Sequence, residues 1–300
     1  MMNTTREMID LSGRKIAAVL NTASGTCTPE SKDEMLAILQ EFNVTPAHVW
    51  CGSSEGLSVA FDEVKSIQAN VLIVLGGDGT IRSAAEQCTG AGPLLIPLPG
   101  GTMNVLPKAL YGEGSWQDIL RKICANPTIK KVSGGEIQGH RFFISAICGA
   151  PSLWANAREA VRAGALDKAV EHGKIALDHM FASKISYRFN EMNEGTTEAL
   201  TITCPLVSSQ LDDDRRVFEA AVIDMNHAGE ILELVTAAAF GEWRDSKNVA
   251  IVNTPKVTVT SEQDIPVILD GETIDVGHEA DFSFIKEAFV AIIPADEILS

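Results

Sequence analysis

Asp78 stands inside the run Gly76-Gly77-Asp78-Gly79-Thr80, a single carboxylate among three glycines. Glycine turns between a strand and a helix bind phosphate, because the helix start presents N–H groups without intrahelical partners and the missing Cβ atoms let oxygen approach the backbone. A carboxylate in such a turn repels phosphate unless it holds a metal ion, takes a proton or serves as a helix cap. Two further runs have related chemistry. Pro99-Gly100-Gly101-Thr102-Met103-Asn104 is a second glycine turn, and Asn21-Thr22-Ala23-Ser24-Gly25-Thr26 gathers small hydroxyl and amide groups suited to phosphate oxygens. Near the C-terminus, Asp270-Gly271-Glu272 places two carboxylates about a glycine; on its own it reads as the tight turn of a hairpin. None of these runs fits the dinucleotide fingerprint or the lysine-bearing P-loop, which disfavours a dehydrogenase or an ordinary P-loop enzyme.

The elements that must position these groups follow from the apolar pattern. Residues 71–75 are an unbroken aliphatic run bounded by polar and glycine residues, the signature of a strand covered on both faces. Strands are also predicted at 16–20, 47–51 and 94–98, so that all three loops emerge at the carboxyl edge of one sheet, where open α/β folds bind ligands. Helices are predicted at 29–42, with Thr28 as N-cap and Pro29 at the first position, at 55–68, at 81–87 with Thr80 as N-cap, and after the third loop. Beyond Pro127 the text changes to short alternating runs at 130–137, 141–147, 185–189, 199–204, 218–223, 231–236, 249–252, 256–260, 266–269 and 282–285. The expected architecture is an α/β domain with a parallel doubly wound sheet over residues 14–126 and a mainly β, sandwich-like domain over residues 127–293.

In its loops the chain resembles the diacylglycerol kinase catalytic family, which includes sphingosine and ceramide kinases and is distantly related to NAD kinases. Residues 21–25 are similar to the family's Asn-Pro-x-Ser-Gly loop, residues 76–80 to its Gly-Gly-Asp-Gly-Thr loop, and residues 99–104 to its Gly-Thr-x-Asn loop. Asp270-Gly271-Glu272 stands where the family keeps its catalytic Asp-Gly-Glu. Two departures are Thr22 in place of proline and Val105 where an aspartate is usual; the second bears on substrate class.

The resemblance implies a nucleotide bound between the two domains and ATP-dependent phosphorylation of a lipid hydroxyl, on a diacylglycerol-like or long-chain-base lipid. It implies nucleotide contacts from Asn21, Ser24, Gly25, Gly76, Gly77, Gly79, Thr80, Gly100, Gly101, Thr102, Asn104 and Gly271. Phosphoryl transfer demands positioning and charge neutralisation, with Mg2+ bridging the phosphates. No lysine lies in the glycine loops, so Arg162 and Lys168 are the basic candidates compatible with the resemblance, with Lys15 and Lys108 as alternatives. Asp78 is either a ligand of Mg2+, directly or through water, or the catalytic base; metal is favoured for Asp78 and base for Glu272. The acid run 212–214, followed by Arg215 and Arg216, reads as a solvated loop, and the histidines show no ligand spacing.

Composition sets the outer bounds. A net charge of −16 argues against nucleic acid and against a constitutive basic patch on an anionic membrane, so contact with a bilayer would be local and transient. Basic residues within 158–174, on a helical pattern, are the candidate rim of a lipid entrance. Six scattered cysteines form no Cys-x-x-Cys pair and fit a reducing, cytoplasmic setting; residues 1–13 lack the apolar core of a signal peptide, and no run reaches the ~20 apolar residues of a spanning helix. A homodimer is compatible with this reading. Two alternatives share the loops: an NAD kinase-like enzyme, against which the third loop speaks, and a catalytically silent nucleotide or lipid sensor, against which the two retained carboxylates speak.

Overall fold

A computed structural model describes residues 8–149, 184–190, 193–208, 210–211, 215–223 and 249–295. The chain divides into two compact units, Met1–Ser133 with Lys286–Ser300, and Gly134–Ile285. The predicted strand at 231–236, the basic stretch 158–174 with Arg162 and Lys168, and the acid run 212–214 lie outside the described residues.

In the first unit, strands β1 (Ile16–Asn21), β2 (His48–Gly52), β3 (Val71–Gly76) and β4 (Leu94–Pro99) form a parallel sheet in the order β2-β1-β3-β4. Every residue of β1 and β3 is buried, as continuous aliphatic runs require when both faces of a sheet are covered. The chain steps outward from β1 to β2 and returns across β1 to β3, so the direction of winding reverses between β1 and β3, where open α/β sheets leave a crevice at the carboxyl edge. Helix α1 (Ser31–Glu41) packs with α5 (Trp116–Ala125), and α2 (Leu57–Ser66) packs with α3 (Asp78–Gln87). Helix α4 (Val105–Tyr111) is tied down by its last residue, whose hydroxyl donates to the carbonyl of Ile292, 3.1 Å away, in the chain's final strand. That strand runs parallel to β4, with Ala291 opposite Leu95.

The helix starts differ from the sequence expectation in informative ways. Thr80 does not cap α3: the helix begins at Asp78, Gly77 is the capping position, and Thr80 is buried in the first turn. Nor do Thr28 and Pro29 start α1, whose capping position is Glu30; the Ser31 hydroxyl accepts the Thr28 N–H at 3.0 Å and folds the intervening residues into a turn. The predicted helix at 55–68 opens with a 3-10 turn, Ser54–Gly56, before α2. Helix α5 was not anticipated, although Ser115 and Asp118 spell its capping signal and Trp116, Ile119, Leu120 and Ile123 form its buried stripe.

Strand β5 (Pro127–Ile137) crosses the division between the units, which falls at Ser133 and Gly134 rather than after residue 126. In the second unit it is followed by β6 (His140–Phe142), β7 (Ser145–Gly149), β8 (Ile185–Asn190), β9 (Asn193–Thr197), β10 (Ala199–Thr203), β11 (Phe218–Ile223), β12 (Val249–Thr254), β13 (Lys256–Thr260), β14 (Pro266–Leu269), β15 (Glu272–Asp275) and β16 (Glu279–Pro294). Six of these form an antiparallel sheet in the order β12-β11-β10-β7-β14-β15, while β16, β13, β8 and β9 pair antiparallel in a second. One core draws on both sheets: Phe142 stacks on Phe218 with ring centroids 5.6 Å apart and meets Phe282 edge-on at 6.1 Å. This is a β-sandwich.

Two strand expectations change. Residues 141–147 are two strands, with the break at 143–144, and residues 282–285 are a fragment of the 16-residue β16, which returns to the first unit from Lys286 onward. Because Phe218 is fully buried between Phe142 and Phe284, Phe218→Ala is expected to cost about 3–5 kcal/mol, read as a lowered urea midpoint at unchanged slope.

Candidate active site

The loops after β1, β3 and β4 meet at the carboxyl edge of the sheet and are locked to one another through side chain to backbone bonds. Asn21, at the end of β1 and buried, donates from Nδ2 to Thr80 Oγ1 at 2.8 Å and to Ser54 Oγ at 3.1 Å, while its Oδ1 accepts the Ala23 N–H at 3.0 Å. Ser24 Oγ accepts the Gly77 N–H at 2.9 Å, joining the first loop to the second. The Thr26 N–H donates to the Gly100 carbonyl at 2.9 Å, joining the first to the third. Gly100 N–H in turn donates to the Gly76 carbonyl at 2.8 Å.

Asp78 completes the lock. Its Oδ2 accepts the Asn104 N–H at 3.0 Å and its Oδ1 the Val105 N–H at 2.7 Å, so the carboxylate caps the start of α4 from the first turn of α3. The sequence left open whether Asp78 binds metal, takes a proton or caps its own helix; the structure gives it a cap on a different helix. A negative charge at a helix start is favourable, and this offsets the repulsion between Asp78 and an anion in its own turn. Asn104 makes the junction possible: it adopts a left-handed conformation at φ +52°, its Oδ1 accepts the Gly101 N–H at 2.7 Å, and its Nδ2 donates to the Gly101 carbonyl at 2.8 Å.

The glycines serve two different ends. A Cβ on Gly76 would lie 2.6 Å from Thr80 Cβ in its own turn, and one on Gly101 would lie 2.7 Å from Gly77 Cα, so the first is glycine because its turn is tight and the second because the loops touch. Gly25 has nothing within 4 Å of such an atom and is exposed. Nor are all the N–H groups open to a ligand: those of Gly77, Gly100 and Gly101 are spent on Ser24, Gly76 and Asn104. The donors that the geometry leaves for an anion are the N–H groups of Asp78, Gly79 and Thr80, which open α3 without a preceding turn to bond, together with the Ser24 hydroxyl proton and the exposed Thr102.

Other candidates separate. Lys15 precedes β1 at the amino edge of the sheet, a strand's length from the loops, and its position excludes it from the site. Lys108 pairs with Glu113 at 3.1 Å. Cys27, just beyond the first loop, is buried; burial first and the neighbouring Cys51 second push its thiol up to about 11, which removes it as a nucleophile at neutral pH. Among the described residues no group of three or more His, Cys, Asp or Glu side chains could hold a metal ion. Ser54 is a site neighbour that sequence reading passed over; its one signal is its place directly after β2 at the same edge.

In the second unit Asp270 and Gly271 form the two-residue turn read from the sequence, with φ +49° and +93°, the twist that joins adjacent antiparallel strands. Gly271 and Glu272 are exposed, and Glu272 opens β15 opposite Leu269.

The loop contacts set an asymmetry that can be measured. Gly101→Ala is expected to weaken nucleotide binding at least about tenfold, the equivalent of about 1.4 kcal/mol, and to lower the melting temperature, whereas Gly25→Ala should leave the melting temperature unchanged. Calorimetric titration with a nucleotide and thermal unfolding of both variants decide it.

Residues 15–137 match the family model described as the diacylglycerol kinase catalytic domain. The fold is similar to the crystal structure of a diacylglycerol kinase from Bacillus anthracis str. Sterne, at 13% identity and a TM-score of 0.67, covering 94% of this chain and 97% of that one. It is also similar to yeast NADH kinase complexed with NADH, at 8% identity and a TM-score of 0.53, covering 98% of this chain and 89% of that one. The likeness to the diacylglycerol kinase catalytic family read from the loops is thus a family match over residues 15–137, on a chain whose fold is that of the diacylglycerol kinases and NAD kinases.

Proposed function

We propose that this protein is an ATP-dependent lipid kinase that transfers the γ-phosphoryl group to a hydroxyl of a diacylglycerol-like or long-chain-base lipid. The observation that carries the reading is the three-loop lock at the switch point of the sheet, inside the segment that matches a kinase catalytic domain. On this reading the N–H groups of Asp78, Gly79 and Thr80 and the Ser24 hydroxyl bind phosphate oxygens. Glu272, by its place in Asp-Gly-Glu, accepts the proton of the lipid hydroxyl as that oxygen bonds to the γ-phosphorus; the bond from the γ-phosphorus to the β–γ bridging oxygen breaks, and ADP leaves with the electron pair.

The donor set suits Mg2+ carried in with the nucleotide, since that ion is held by one or two carboxylates plus phosphates and water rather than by a protein cage. Each Asp78 oxygen keeps acceptor capacity beyond its one N–H bond, so Asp78 is the residue to hold it, directly or through water. When bound, the ion neutralises charge on the phosphates.

Incubation with Mg2+ and γ-labelled ATP against diacylglycerol, monoacylglycerol, sphingosine, ceramide and NAD tests the proposal. Label is expected in one lipid, with a loss of about 10²–10⁴-fold in Glu272→Gln and a comparable loss in Asp78→Asn, where one cap acceptor becomes a donor. Label in NAD alone, or in no acceptor despite tight ATP binding, overturns it in favour of the NAD kinase-like or sensor reading.

Among the described residues no helix is long and apolar enough to cross a membrane, so the proposal has the protein meet its substrate at the bilayer surface. A net charge of −16 repels anionic lipid at low ionic strength. Turnover on vesicles is therefore expected to fall as the anionic lipid fraction rises and to recover with added salt; the opposite salt dependence would indicate a local basic docking patch.

A further inference from the structure

We infer that the outer face of β8, β9 and β13 in the second unit binds a zwitterionic headgroup carrying a phosphate and an ammonium, and that through it the protein meets a bilayer of no net charge. The site stands on its own residues; that its ligand belongs to a bilayer rests on the lipid kinase reading above.

Three antiparallel strands carry the site. Register sets Arg188 of β8 between Thr258 of β13 and Glu194 of β9, and Ser186 of β8 between Thr260 and Thr196. Residues paired in register point to the same side of a sheet, and alternate residues of a strand share a face, so these six side chains lie together. They line a concavity of about 420 Å3, within the range of small-ligand sites. The opposite face is packed. Ile185 and Phe189 are buried, the Tyr187 ring lies 5.0 Å from that of Phe189, and a Cβ on Gly195 would lie 2.7 Å from the Tyr187 hydroxyl. The floor is thus held from behind, while the outer side chains, Thr258 apart, are exposed.

What marks this face is charge left unused. Arg188 and Glu194 stand directly opposite each other, where opposite charges ordinarily pair. Yet among the described residues neither side chain makes an ion pair or a hydrogen bond. Neighbouring cations are paired: Lys184 with Glu198 at 3.0 Å and Lys256 with Asp281 at 3.9 Å. The register of β8 and β9 shifts between Arg188 and Asn190, an irregularity of the kind that re-aims side chains beside binding sites. Thr258 spends its hydroxyl proton on Asp281 at 2.6 Å, whereas among the described residues the hydroxyls of Ser186, Thr196 and Thr260 have no partner.

These groups define a ligand. The guanidinium and the three hydroxyls are donors for an anion, and Thr260, Ser186 and Thr196 stand in one row, one per strand, about 4.8 Å apart. That spread suits oxygens set tetrahedrally about phosphorus better than the two in-plane oxygens of a carboxylate. Glu194, one strand from Arg188, accepts from an ammonium group. Guanidinium and carboxylate sum to zero charge, as a phosphate diester and an ammonium do, so site and headgroup are complementary without net attraction. A bilayer of such lipids is also free of the repulsion that a net charge of −16 meets at an anionic surface.

The test sediments the full-length protein, Arg188→Gln and Glu194→Gln with vesicles of phosphatidylcholine alone or with phosphatidylethanolamine added, both of no net charge. The ammonium of phosphatidylethanolamine donates hydrogen bonds to a carboxylate; the trimethylated group of phosphatidylcholine has none to donate. Binding is expected to be about tenfold tighter with phosphatidylethanolamine, the size of one hydrogen bond to a charged group. Glu194→Gln should remove that preference and Arg188→Gln should weaken binding to both vesicles about tenfold, each at unchanged melting temperature and ATP affinity. Soluble O-phosphoethanolamine should displace the protein from the vesicles. Equal binding to the two vesicles, or a preference that survives Glu194→Gln, overturns the site. Binding of soluble O-phosphoethanolamine without binding to either vesicle overturns the bilayer as the source of the ligand. A vesicle preference in a protein that transfers no label to any lipid supports the headgroup site and sinks the kinase reading alone.

Discussion

The first unit depends on the bond pair from Asp78 to the backbone of Asn104 and Val105. It joins the first turn of α3 to the first turn of α4 and so holds the second and third glycine loops against one another at the sheet edge. Hydrogen bonds to a charged acceptor contribute about 1.5–3 kcal/mol each, more than the neutral bonds around them, so this pair is the strongest link in the lock. Ser24, Asn21 and Asn104 then distribute the constraint to the first loop and to the left-handed junction before α4.

That arrangement changes the meaning of a glycine-rich motif. Three glycine loops suggest a broad cradle of backbone N–H groups, yet those of Gly77, Gly100 and Gly101 are consumed in building the cradle. What remains for an anion is concentrated at one helix start, beside a carboxylate whose charge is already balanced by a neighbouring helix. The three loops themselves hold no lysine.

The second unit repeats the device. Asp270, like Asp78, is a carboxylate that accepts consecutive backbone N–H groups from a segment distant in sequence, and in both cases it sits next to residues to which a chemical role is assigned. Both carboxylates act where hydrophobic packing is least able to fix geometry, at a loop edge and at the tip of an edge hairpin. Directional, charge-assisted bonds supply there what burial supplies in the aromatic core around Phe142, Phe218 and Phe282.

Much of this was legible in the residues themselves. Aliphatic runs such as 71–75 fit a strand covered on both faces and alternating β-branched runs such as 256–260 fit a strand in a β domain, so the fold class and most strands follow from local pattern, although Thr258, on the polar side of that alternation, is buried as well. Asp270-Gly271 likewise dictates its turn, because Asp and Gly tolerate the positive φ that this two-residue hairpin has at both positions. Where α3 starts, which helix Asp78 caps, why residues 141–147 break into two strands, and which unit the last strand ends in were decided elsewhere. Each is settled by a partner between 26 and 196 residues away in the chain, as Asn104 is for Asp78, Phe143 for Asp270 and Leu95 for Ala291. Local propensity is blind to such partners, since a carboxylate's two oxygens accept whichever N–H groups the tertiary fold delivers to them.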